Sequence, residues 1–146
     1  MISIIVFEPA HLWEIVKHTD NPDAVWGRAV LDRPDAFELI QRGKGTAYTA
    51  LLDGKPIAAG GILAVYDNSY AWALVGKMSQ GNLLRLCKIV RLATEDIMAG
   101  LRVERCMAGV LKEFKQGLQF AEILGFRSEP DRPNHAYNFM VKQCRG

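Results

Sequence analysis

The stretch Tyr70-Ala71-Trp72-Ala73-Leu74-Val75-Gly76-Lys77-Met78-Ser79-Gln80-Gly81-Asn82 decides how this chain is read. Tyr70–Val75 alternates aromatic and aliphatic side chains with small ones and reads as a strand; Gly76–Asn82 is a glycine-bearing loop. Beyond it, Leu83, Leu86, Cys87, Val90, Ala93, Ile97 and Leu101 recur at three- and four-residue steps. That spacing is one apolar stripe of a long helix, with Arg85, Lys88 and Glu95 on its other faces and Gly100 marking its end. A strand that runs into such a loop and opens a helix is a place to hold phosphates. The loop and the first helical turn carry N–H donors that no carbonyl of the helix accepts.

Working outward toward the C-terminus, Val103–Val110 reads as a strand and Gln116–Leu124 as a short helix. Phe126–Ser128 begins another strand, Pro130 to Asn134 is a polar loop, and Tyr137–Gln143 is a last strand. Toward the N-terminus, Ala47–Leu52 and Lys55–Leu63 flank Asp53-Gly54, the favoured dipeptide of a tight hairpin turn. Asp67-Asn68-Ser69 is a second turn, so the three strands ending in Tyr70–Val75 form an antiparallel meander. Ile2–Phe7 is a first strand. His11–His18 is a helix, with Leu12, Ile15 and Val16 at helical spacing. Asp23 caps a helix toward Leu31, Pro34 precedes a short helix from Asp35 through Ile40, and Gly43-Lys44-Gly45 breaks the pattern. The summed order, β-α-α-β-β-β-α-β-α-β-β, predicts a mixed sheet in an α/β (α+β) layer, because a meander followed by a β-α-β crossover requires both antiparallel and parallel pairing.

The 146 residues fit one domain, 1–146, with enough chain to bury a core without metals or disulfides. A formal net charge of +2 with scattered basic residues speaks against nucleic-acid binding. The apolar stretches Met1–Phe7 and Ala58–Tyr66 are too short to span a bilayer, so no membrane partner is expected. Cys87, Cys106 and Cys144 are odd in number, with no CxxC or Cys/His spacing. That excludes a zinc motif and fits a reducing cytoplasm. His11 and His18 share a helical face but have no acidic or cysteine partners at ligand spacing, so no metal site is expected.

The element order resembles that of the GNAT family, the Gcn5-related N-acetyltransferases. Three segments carry the resemblance. Leu51-Leu52-Asp53-Gly54-Lys55-Pro56-Ile57-Ala58-Ala59-Gly60-Gly61 looks like the family's hairpin, the strand–loop–helix from Tyr70 like its cofactor segment, and Phe120-Ala121-Glu122-Ile123-Leu124-Gly125-Phe126 like its FYEKLGF ending. In its brevity the chain is similar to the small GNAT-like proteins of tailed phages. The resemblance implies acetyl-CoA as cofactor, its pantetheine arm lying in a V-shaped opening between Tyr70–Val75 and Val103–Ala108. Leu74, Val75, Gly76, Lys77, Ser79, Gln80, Gly81, Asn82 and Arg85 would hold it.

The implied activity is acetyl transfer to an amine, either a small molecule or a protein lysine, with a host protein as the target in a phage setting. A homodimer is a further implication. A backbone N–H near Val75 would polarise the thioester carbonyl. Asp67, Glu14, His11 and His18 are candidate bases, and Tyr70 and Tyr137 candidate acids. Ala121 stands where many members carry the tyrosine that protonates the departing thiolate. The alternative is therefore a GNAT-fold interaction or virion-associated protein without transfer activity.

Overall fold

The computed structural model describes residues 1–16, 45–65, 68–111, 115–128 and 137–143. Along the chain these form β1 (Ile2–Val6), α1 (Pro9–Val16), β2 (Gly45–Leu52), β3 (Lys55–Val65), β4 (Asn68–Val75), α2 (Gln80–Gly100), β5 (Arg105–Leu111), α3 (Lys115–Ile123), β6 (Arg127–Ser128) and β7 (Tyr137–Gln143). The expected helices from Asp23 and from Asp35, the polar loop Pro130 to Asn134, Asp67, His18 and Cys144 lie outside the described residues.

One seven-stranded sheet has the order β1-β2-β3-β4-β5-β7-β6. β2, β3 and β4 form the expected antiparallel meander, β1 pairs antiparallel on the outer side of β2, β5 lies parallel to β4, and β7 returns antiparallel between β5 and β6. The Asp53-Gly54 turn has positive φ at both residues (51° and 84°), the conformation that matches the twist of a two-residue hairpin.

Alternation along the strands sorts the core into two layers. On one face Ile62, Ala71, Ala73, Cys106, Ala108 and Met140 pack under α2 and α3, against Cys87, Met98, Phe120, Leu124 and Phe126. On the other face Ala47, Ala59, Trp72 and Leu74 pack with Phe7 and Ile15 under α1. Trp72 is the anchor there, its ring edge-on to Phe7 at 5.2 Å between centroids. On the α2 side the sheet supplies mostly small side chains and the helices supply the large ones.

One helix end follows the sequence expectation and the other departs from it. At the end of α3 the Phe126 N–H donates to the Ala121 carbonyl and the Gly125 N–H to the Glu122 carbonyl, with Gly125 at φ 99°. This paired closure, with glycine in the left-handed region, is what the FxxxLGF segment encodes. The end of α2 closes by the same two bonds, Val103 N–H to Met98 and Arg102 N–H to Ala99. Here, however, Gly100 is still helical and the left-handed residue is Arg102, at φ 55°. Gly100 thus does not end the helix. The turn through Arg102 also takes Val103 out of the following strand, so that β5 starts at Arg105.

A Cβ-bearing residue in the left-handed region costs about 1–2 kcal/mol. Arg102→Gly is therefore expected to raise stability by about 0.5–1 kcal/mol once the looser unfolded chain is allowed for. A thermal midpoint unchanged or lowered by the substitution would contradict this.

Candidate functional site

The site begins with an interruption in the sheet. β4 is paired along its whole length with β3, from Asn68 opposite Val65 to Val75 opposite Ala58. On its other side it meets β5 at one pair, Tyr70 with Met107. Beyond that vertex the two parallel strands part toward their C-terminal ends.

The register tells which groups line the gap. The Gly76 N–H donates to the Ile57 carbonyl at 2.8 Å, so residues in step with Gly76 (Leu74, Trp72, Tyr70) turn their main chain toward β3. Ala71, Ala73 and Val75 turn theirs toward β5. Ala71 lies at the vertex; the N–H and C=O groups of Ala73 and Val75 face the opening and have no ladder partner in β5.

The open end of the V leads directly to the start of α2. Ser79 is its N-cap: its Oγ accepts the Asn82 N–H at 3.3 Å, and its carbonyl accepts the Leu83 N–H at 2.9 Å. That leaves the N–H groups of Gln80 and Gly81 in the first turn, where no helical carbonyl reaches them. The first turn contains no acidic residue, so nothing on the helix offsets its positive dipole end. Lys77, Gln80, Gly81 and Arg85 are exposed around it. A Cβ built on Gly81 would meet nothing within 4 Å. Gly81 is therefore required neither by backbone conformation nor by packing, although glycine at a helical position costs about 0.5–1 kcal/mol relative to alanine. The space over it is open for an anion to approach the main chain.

The predicted cofactor residues Val75, Gly76, Lys77, Ser79, Gln80, Gly81, Asn82 and Arg85 thus follow one another from β4 into the first turns of α2. Leu74 differs from them: its side chain is buried under α1 and its main chain pairs with Ala59. The two predicted acids fall on different strands: Tyr70 is half-buried at the vertex, and Tyr137 starts β7, its main chain opposite Leu111 of β5. Asp67 lies outside the described residues.

His11 Nδ1 accepts the Glu8 N–H at 3.1 Å and sits 2.8 Å from Thr49 Oγ. Its Nε2 lies 3.8 Å from Glu8 Oε2. Ala121 is fully buried in the core, with no ionisable group in its place. Ala73 is the residue that sequence reasoning passed over. An alanine whose contribution is its main chain leaves no chemical signal in sequence.

Among the described residues, no three His, Cys, Asp or Glu side chains gather as a metal site, and no helix is long and apolar enough to cross a membrane.

No protein-family pattern and no curated protein matches this sequence. In three dimensions the chain is similar to an acetyltransferase from Streptococcus agalactiae 2603 (TM-score 0.70, 20% identity, covering 97% of this chain and 98% of that one). It is similar to an acetyltransferase of the GNAT family from Staphylococcus aureus Mu50 (0.70, 14%, 98% and 99%). A third likeness is to the PaiA N-acetyltransferase from Thermoplasma acidophilum in complex with coenzyme A (0.66, 16%, 98% and 99%). At these identities the likeness is one of fold, and the fold is that of the GNAT acetyltransferases.

Proposed function

We propose that this chain is a coenzyme A-dependent N-acyltransferase, with acetyl-CoA as donor and an amine as acceptor. The observation that carries the reading is the parting of β4 and β5 beyond Tyr70–Met107, opening onto the uncompensated N-terminus of α2. A pyrophosphate would sit on the Gln80 and Gly81 N–H groups, with Lys77 and Arg85 supplying positive charge and Ser79 and Asn82 neutral donors. The amides of the pantetheine arm would pair with the Ala73 and Val75 main chain as an added strand. The coenzyme A in the Thermoplasma structure supports this assignment of the ligand.

In the step itself, the free amine attacks the thioester carbonyl, which the Val75 N–H polarises. A C–N bond forms and the C–S bond breaks. The amine's proton passes to a base, for which Asp67 is the residue to test, and the thiolate takes a proton from Tyr70 at the vertex or from water. The acceptor is a small amine or a protein lysine; for a phage-borne chain, a host lysine is the one to try. The buried free thiols of Cys87 and Cys106 fit a reducing cytoplasm.

A second reading is favoured by one observation, the fully buried Ala121. It makes the chain a cofactor-binding interaction protein that turns nothing over.

Calorimetry with coenzyme A and acetyl-CoA tests the first reading. Both are expected to bind, with Gly81→Trp weakening them at least about a hundredfold, about 2.7 kcal/mol. Gly81→Ala is the sharper variant. It should stabilise the fold by about 0.5–1 kcal/mol while weakening coenzyme A, an opposition that a purely structural glycine would not produce. No binding at millimolar coenzyme A would sink the proposal. Binding without thiol release for any amine tried would favour the second reading.

A further inference from the structure

Between the sheet and α2 lies a cavity of about 70 Å³. It exists because the sheet places small residues, Ala50, Ala58, Gly60 and Ala73, opposite Val90 and Ala93 of the helix. Gly60 cannot be enlarged to fill it, since a Cβ there would stand 2.8 Å from the Trp72 carbonyl oxygen. The lining is almost wholly apolar. Thr94 on its wall is bonded to the Val90 carbonyl at 2.7 Å, and the remaining hydroxyl is that of Tyr48. Such a lining offers water few hydrogen-bond partners and favours hydrocarbon.

The cavity and the opening between β4 and β5 share a wall. Ala73 and Val75 point their side chains into the cavity while turning their main chain to the opening. A thioester carbonyl held at the Val75 N–H therefore has its acyl carbons beside the cavity. Scaled from a 150 Å³ cavity that holds the six carbons of benzene, 70 Å³ takes about three carbons.

We propose that the donor site continues into this cavity, so that the chain binds short straight-chain acyl-CoA, of about four or five carbons, more tightly than acetyl-CoA. This rests on the acyl-CoA reading above and names the donor class for the same site. The transfer is balanced as before: the acyl C–S bond breaks, the C–N bond forms, and the tail is a spectator held by burial.

The test is a calorimetric series of free coenzyme A and its acetyl, butyryl, hexanoyl and octanoyl thioesters on the full chain. Each buried methylene is worth about fourfold, so butyryl-CoA, with two more than acetyl-CoA, is expected to bind about fifteenfold tighter. The gain should be lost by octanoyl, whose tail outruns the cavity. Ala58→Leu from the sheet and Ala93→Leu from the helix fill the space from opposite walls. Whichever variants fold cooperatively should lose the butyryl preference when each thioester is referred to that variant's own affinity for free coenzyme A. Equal affinity of acetyl and butyryl thioesters, or a preference that survives filling, overturns the inference and leaves the acyltransferase reading standing. Failure of free coenzyme A to bind removes both.

Discussion

Gly61→Val is expected to destabilise the fold by about 3 kcal/mol or more, lowering the urea midpoint by about 1–2 M. Gly61 lies in β3 between Ala47 of β2 and Trp72 of β4. A single added Cβ would overlap the Thr46 carbonyl oxygen and come within 2.7 Å of the Ala47 Cα. Both are main-chain atoms of a paired strand, and cannot swing aside as a side chain would. Relief requires β2 and β3 to separate where the layer around Trp72 is packed, and valine adds two methyls to the overlap. Equilibrium unfolding of the variant checks this. A loss under 1 kcal/mol would mean that the strands can be spread here at little cost.

The second large effect is a dependence on alkaline pH. Burial pushes the Cys106 thiol up from 9.0 to about 12, against the smaller opposing pull of Lys142 and of the Ala71 main chain. The folded-state value lies above the unfolded one, so the contribution is complete below pH 9. It shrinks as the pH rises, because the unfolded chain releases a proton that the folded chain keeps. The loss approaches about 4 kcal/mol at pH 12.

Lys142 is itself buried beside the thiol, donating to the Leu124 carbonyl and standing 3.6 Å from Glu95 Oε1. Comparison with Cys106→Ala isolates the thiol's share. Denaturation midpoints between pH 8 and 11 should fall less steeply in the variant. Parallel slopes would show that the thiol is not the titrating group.

The elements that announced themselves did so through short-range chemistry. Asp53-Gly54 specifies its hairpin because both positions need positive φ. Gly125 specifies the closure of α3, with Leu124 and Phe126 buried on either side of it. The apolar stripe from Leu83 gives α2 its length. Where the reading slipped, at Gly100, a glycine near the end of a helical pattern suggested a terminus. The chain closed the helix two residues later on Arg102, accepting strain that no residue preference signals.

The loop shows the limit from the other side. Ser79 was legible as a helix cap and Gly81 as an open position in the first turn. Ala73 gave no signal, and that Leu74 turns its main chain away from β5 gave none either, because only the register with β3 tells which main-chain groups turn toward β5. The small side chains of β3 and β4 were visible as composition, whereas the cavity they leave under α2 was not.

Sequence alone therefore determined the order of elements, the turn chemistry, the helix stripe and the likeness to the GNAT pattern, since each depends on residues a few positions apart. Tertiary structure alone decided that β4 and β5 separate after one pair, that Ala73 and Val75 are left facing the gap, and that an apolar space adjoins it. Those features consist of hydrogen bonds not made and volume not filled between distant segments, and no residue type records an absence of that kind.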